Sequence, residues 1–149
     1  MRTLSALLVM GLCLATAFAC SDSERPTGRW EGTYESAQTL IAARLEIAKD
    51  GAIYISAPDA LDVTATDDGD REVIRQKLAM DLAEGWNAVE ARRFDFDGKI
   101  FRKPGGIAPQ LIWDPDTKQM SLIVYPGTQA TIRIAMRAVK EFSADPWPG

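Results

Sequence analysis

The chain predicts an α+β fold, mainly β: a small antiparallel β-barrel or sandwich of about eight strands, with one amphipathic helix after the third strand. Three observations predict it. Apolar residues alternate with polar ones in several short runs, separated by turn sequences such as Asp50-Gly51, Asp97-Gly98 and Asp114-Pro115. A single stretch carries a helical period instead, with Ile74, Leu78, Leu82 and Trp86 four residues apart. The chain beyond residue 19, about 130 residues, suffices for one hydrophobic core and is short for two. Short strands joined by tight turns, with one helix among them, describe a meander that curls on itself.

The first strand is Gly28-Arg29-Trp30-Glu31-Gly32-Thr33-Tyr34, with Trp30, Gly32 and Tyr34 on one face. Thr39 to Ala57 is a hairpin around Lys49-Asp50-Gly51. A two-residue turn there pairs Ile47 with Tyr54 and sets Ile53 and Ile55 on the wrong face. A three-residue turn with Gly51 in the left-handed conformation pairs Ile47 with Ile53 and Leu45 with Ile55. It gathers all the apolar side chains on one side, leaving Arg44, Glu46, Tyr54 and Ser56 on the other. Because a one-residue slip flips every side chain, the buried face selects the bulged turn.

Pro58 to Gly69 is an acidic loop with Asp62, Asp67 and Asp68, lacking the ligand spacing of a calcium loop. A helix follows, roughly Asp70 to Glu84, with Asp70 as N-cap, Glu72 in the first turn and Gly85 at its end. Its apolar stripe is expected to cover an open edge or end of the sheet. Val89 to Arg102 is a second hairpin turning at Asp97-Gly98. Asp95-Phe96-Asp97-Gly98 imitates the middle of an EF-hand loop, but Arg93 and Pro104 occupy the first and twelfth ligand positions. Lys103-Pro104-Gly105-Gly106 is a connection. Gln110 to Tyr125 is a third hairpin, with Leu111 and Trp113 facing Met120, Leu122 and Val124. In the last strand Ile132, Ile134 and Met136 point inward, with Arg133 and Arg137 opposite. Pro146-Trp147-Pro148-Gly149 cannot join a sheet, so its Trp folds back on the domain or stays free for a partner.

Ahead of the domain, Met1-Arg2-Thr3 gives a basic start to an uncharged run from Leu4 to Phe18. That is the pattern of a secretory signal peptide, and Asp22 and Glu24 end it too soon for a bilayer-spanning helix. The organisation expected is a signal peptide over 1–19, Cys20 with a flexible tether over 20–28, one β-rich domain over 29–142, and a Pro/Trp tail over 143–149. Cleavage falls between Ala19 and Cys20.

Ala17-Phe18-Ala19-Cys20 resembles the lipobox of bacterial lipoproteins, with Ala17 where that family usually carries Leu. The resemblance implies that the Cys20 thiol receives a diacylglycerol and that the protein is held in the cell envelope, palmitate being the usual kind of acyl chain. Ser21 implies sorting to the outer membrane, facing the periplasm. Gly28-Arg29-Trp30 is similar to the opening of lipocalin-like barrels, in which the Trp plugs one end.

Composition removes several classes of chemistry. The chain has no histidine, which excludes Ser-His-Asp and Cys-His nucleophiles and the commonest zinc ligand. Cys20 is the one cysteine left after cleavage, so no disulfide forms within the mature chain and no metal or other cofactor is expected. Losing Arg2 with the leader takes the formal net charge from −4 to about −5, the wrong sign for nucleic acid. The function expected is therefore a lipid-anchored, non-catalytic binding or envelope-assembly module. Its partners are the membrane and either an envelope protein or a small apolar ligand entering near Trp30, Tyr34, Trp113 and Tyr125. The alternative is a soluble periplasmic or secreted protein. That version is either a protease-inhibitor-like barrel using the loop Lys103 to Pro109, or a hydrolase using carboxylates from Asp95, Asp97, Asp114 and Asp116.

Overall fold

A computed structural model describes residues 24–149 of the chain; the expected signal peptide, Cys20 and the first part of the expected tether lie outside the described residues. Nine strands and one helix follow in order. They are β1 (Gly28–Glu35), β2 (Thr39–Ile47), β3 (Ile53–Ser56), β4 (Asp59–Leu61), α1 (Asp68–Gly85), β5 (Asp95–Phe96), β6 (Ile100–Arg102), β7 (Pro109–Asp114), β8 (Gln119–Val124) and β9 (Ile132–Val139), with a 3-10 turn at Trp86–Ala88 after the helix. All pairs are antiparallel, in the order β3-β2-β1-β9-β8-β7-β6-β5, with β4 beside β2. Two meanders, β1–β3 and β5–β9, are thus joined where the first strand pairs with the last. The domain is mainly β, as expected. The helix follows the fourth strand because Asp59–Leu61 pairs with Thr39–Ile41 after Ala57-Pro58 has interrupted the ladder.

The sheet curls into a half-barrel. Its edges meet at one bridge, where Ile53 and Arg92 exchange two backbone hydrogen bonds of 2.8 Å. Gly32 makes the curl feasible at the junction of the two meanders. A Cβ there would lie 2.7 Å from the Ala135 carbonyl oxygen and 2.8 Å from Met136 Sδ. Gly32→Ala therefore forces β1 away from β9, and we expect it to cost about 1–3 kcal/mol as an overpacked site. A urea midpoint unchanged from wild type would show that the two strands yield freely.

The hairpin registers follow the buried face. Ile47 pairs with Ile53 and Leu45 with Ile55 around Gly51, whose φ is +88°. Trp113 pairs with Met120 and Leu111 with Leu122. At Asp97-Gly98, one Asp97 carboxylate oxygen accepts the Lys99 and Ile100 amides, and Gly98 takes a φ of +103°. The concave side is packed with Trp30, Leu45, Ile47, Ile53, Phe94, Phe101, Leu111, Trp113, Met120, Leu122, Ile134 and Met136.

The helix departs from expectation in two ways. It begins at Asp68, with Asp67 as the N-cap accepting the Asp70 amide at 2.8 Å. Its stripe covers the outer face of β2, and not an edge or end of the sheet: Leu78 and Leu82 pack with Leu40, Ala42 and Val63. Two apolar neighbours in a row on each side of the strand, Leu40-Ile41-Ala42-Ala43, leave β2 with two faces to bury. The C-terminal tail folds back onto this second core. Trp147 packs against it, as Ile74 does, and its indole N–H donates to the Arg75 carbonyl at 3.0 Å.

Candidate functional site

Successive residues of β1 serve opposite faces of the sheet. Trp30 points into the concave core and meets Trp113 edge to face, with ring centroids 6.3 Å apart. Tyr34 is half-buried against the same cluster, and Tyr125 is half-buried with a φ of +53°. The aromatic pair Trp30 and Trp113 is brought together, then, as packing of the core.

On the outer face, Glu31 is only 1% exposed. Its carboxylate accepts the Arg137 guanidinium at 2.6 Å, and the Ser143 amide and hydroxyl at 2.9 and 2.5 Å. Burial by itself raises the pKa of such a group, but the two Ser143 donors and Arg137 outweigh it and hold the carboxyl below its usual range. Beside it Arg44, 7% exposed, donates to the Ser143 carbonyl at 3.0 Å. Its guanidinium lies 4.8 Å from the centre of the Phe142 ring, and Phe142 in turn meets Trp86 edge to face at 4.8 Å. Arg44 Nε is buried without a hydrogen-bond acceptor among the described residues. Desolvation pushes the Arg44 pKa down, against the pull of Glu31.

The sequence places Arg44, Arg133 and Arg137 on outward faces, available to cluster beside Glu46. The structure assembles Arg44 and Arg137 around Glu31 and Ser143 instead. Glu46 is paired with Arg29 at 2.7 Å, and Arg133 donates to Ser121 Oγ at 3.0 Å. Period-two alternation correctly puts Glu31 on the outer face but cannot show that a segment more than a hundred residues later will cover it. The weak signal in the sequence is the pair of aromatics, Phe142 and Trp147, in an otherwise polar tail.

The carboxylates considered for hydrolysis are engaged in turns. Asp97 is held at about 2 by the Ile100 amide, Arg102 and the Lys99 amide, and Asp114 is lowered by the Thr117 and Asp116 amides. A general acid needs its pKa shifted the other way. Asp95 and Asp116 are exposed. Among the described residues, no group of three or more His, Cys, Asp or Glu is placed to hold a metal ion.

A basic depression lies at the seam of the half-barrel, beside residues that flank the Ile53–Arg92 bridge. It is an open groove of about 430 Å³, lined by Arg25, Lys49, Asp50 and Gly51 on one side and by Arg93, Phe94 and Asp95 on the other. Of the tether, Glu24 to Thr27 is described; there Pro26 is buried and Arg25 half-buried. A second open pocket, about 310 Å³, lies where the tail crosses the helix, between Arg75, Glu35 and Trp147. Neither is lined by Trp30, Tyr34, Trp113 or Tyr125.

The chain matches no protein-family model, no curated protein and no solved structure. Function must be argued from the residues.

Proposed function

We propose that the protein is a lipid-anchored cell-envelope module that binds or assembles without catalysis, held through Cys20 and facing the periplasm, most simply at the outer membrane. The observation that carries this is Ala17-Phe18-Ala19-Cys20, closing an uncharged run behind a basic start and leaving Cys20 as the single cysteine after cleavage. Two acyl chains or more on one cysteine hold a protein firmly, at ~0.8 kcal/mol per buried methylene. The short tether suits an anchored module: among the described residues, which begin at Glu24, the first buried one is Pro26, six positions after Cys20 in sequence.

The packing of Trp30, Trp113, Phe101 and Met120 on the concave side favours binding on the outer surfaces of the curl over a ligand carried inside it. The depressed carboxyls of Asp97 and Asp114 favour a binding role over carboxylate-dependent hydrolysis.

Mass spectrometry of the protein purified from bacterial membranes tests the anchor, beside a Cys20→Ala variant. The expected result is a diacylglyceryl adduct on the N-terminal peptide of the wild type, and loss of membrane fractionation in the variant. A wild type that carries no acyl mass and fractionates as soluble ends the lipoprotein reading.

A further inference from the structure

We infer that the seam groove is a binding site for a phosphate group, carried by a lipid headgroup or by a soluble phosphate. Three cations reach it from three separate parts of the chain: Arg25 from the tether, Lys49 from the β2–β3 turn and Arg93 from the segment before β5. Two of them converge on one point. A Cβ on Gly51 would stand 3.4 Å from Arg93 Nη1 and 3.5 Å from Arg25 Nη1, so these nitrogens are at most about 7 Å apart. Asp50, whose carboxylate is 3.7 Å from Arg93, offsets part of the repulsion between them, and a bound anion would offset more.

Each guanidinium is oriented by groups of the chain itself. Arg93 donates from Nη1 to the Asp50 carbonyl at 2.7 Å, and its Nη2 is 3.7 Å from the Asp50 carboxylate. One oxygen of that carboxylate already accepts the Ala52 amide at 2.9 Å. Arg25 lies 5.6 Å from the centres of both Phe96 and Phe101, whose rings are stacked at 4.3 Å. The aromatic rings hold its planar face, so its in-plane N–H donors remain for a ligand, and among the described residues no acceptor takes them. The fork of Arg25, the N–H groups of Arg93 that Asp50 does not take, and the Lys49 ammonium around one depression match the several oxygens of a phosphate better than the two of a carboxylate.

Asp50 and Asp95 share the lining, leaving it one positive charge in excess. Selection here is thus by convergent donors at short range, not by a broad positive field. That arrangement suits a single phosphate and argues against a polyanion such as nucleic acid.

The test uses the full chain carrying Cys20→Ala, which no acyl chain can hold to a bilayer, so its outcome is independent of the anchor. One arm titrates inorganic phosphate by calorimetry. The other measures co-sedimentation with vesicles of phosphatidylcholine alone and of phosphatidylcholine with phosphatidylglycerol. Binding to the phosphatidylglycerol vesicles that inorganic phosphate competes away supports the site and assigns it to a headgroup. Phosphate binding without vesicle binding supports the site and assigns it to a soluble ligand.

Lys49→Gln changes an exposed side chain that folding does not need, and should weaken whichever binding is seen about fivefold. Arg25→Gln with Arg93→Gln should abolish it, circular dichroism confirming the fold. The inference is overturned if neither probe binds, or if binding survives Lys49→Gln and the double variant unchanged.

Discussion

Trp30→Ala should cost the domain about 3–5 kcal/mol, the range for removing a large aromatic from a close-packed core. Trp30 is 4% exposed, and its neighbours on the concave face come from both meanders. The substitution therefore opens a cavity where the two halves of the sheet meet, and also removes the edge-to-face contact with Trp113. The alternative role for this residue, as the mouth of a ligand site, makes the opposite prediction: stability near wild type and a lost ligand. Guanidinium unfolding followed by far-ultraviolet circular dichroism separates the two without depending on tryptophan emission. Ile107→Ala is the control. Ile107 is 91% exposed on the Lys103–Pro109 loop, and its truncation should stay within about 0.5 kcal/mol of wild type. A Trp30→Ala midpoint as close to wild type as that of Ile107→Ala would remove Trp30 from the core.

What the sequence could show was decided by range. The strand faces, the bulged register at Gly51 and the hairpin at Asp97-Gly98 depend on residues within a few positions of one another, and all of them appear in the fold. The helix was legible as an element, but its cap was not. Asp67, Asp68 and Asp70 all suit the position, and the choice falls to Asp67 because its extended backbone lets the carboxylate reach the Asp70 amide. Its packing partner was half legible, since the run Leu40-Ile41-Ala42-Ala43 has no polar face to offer solvent. Features that depend on closure were not legible. Arg25 and Arg93 meet at Gly51 only because the sheet curls until Ile53 reaches Arg92, and no local pattern encodes that meeting. The burial of Glu31 and Arg44 is equally remote, since it waits on Phe142 and Ser143.

Glu31→Gln should destabilise the fold by about 2–4 kcal/mol at neutral pH, because it removes a buried charge from partners arranged to receive it. The glutamine keeps the shape of the side chain but presents an NH₂ group to a site whose neighbours, the Ser143 amide and Arg137, are themselves donors. The pH dependence gives a sharper signature. The folded-state pKa of Glu31 lies below its unfolded value, so the unfolded chain takes up the proton first as pH falls. The carboxylate's stabilisation is thus fully present above the unfolded pKa, ~4.3, and is lost progressively as pH drops through the lower folded value. The gap between wild type and Glu31→Gln should accordingly be constant from about pH 6 to 8 and close in acid. Asp97, Asp114 and Glu35 also have lowered pKa values, but both proteins carry them and the difference cancels their contribution. A second readout locates the loss. Amide exchange at Ser143 and nearby tail positions should accelerate in the variant more than exchange in β7 and β8, where Trp113 and Met120 keep their packing. A variant gap that did not change between neutral and acid pH would mean that the cost comes from altered shape alone, and that the charge of Glu31 does not hold the tail to the sheet.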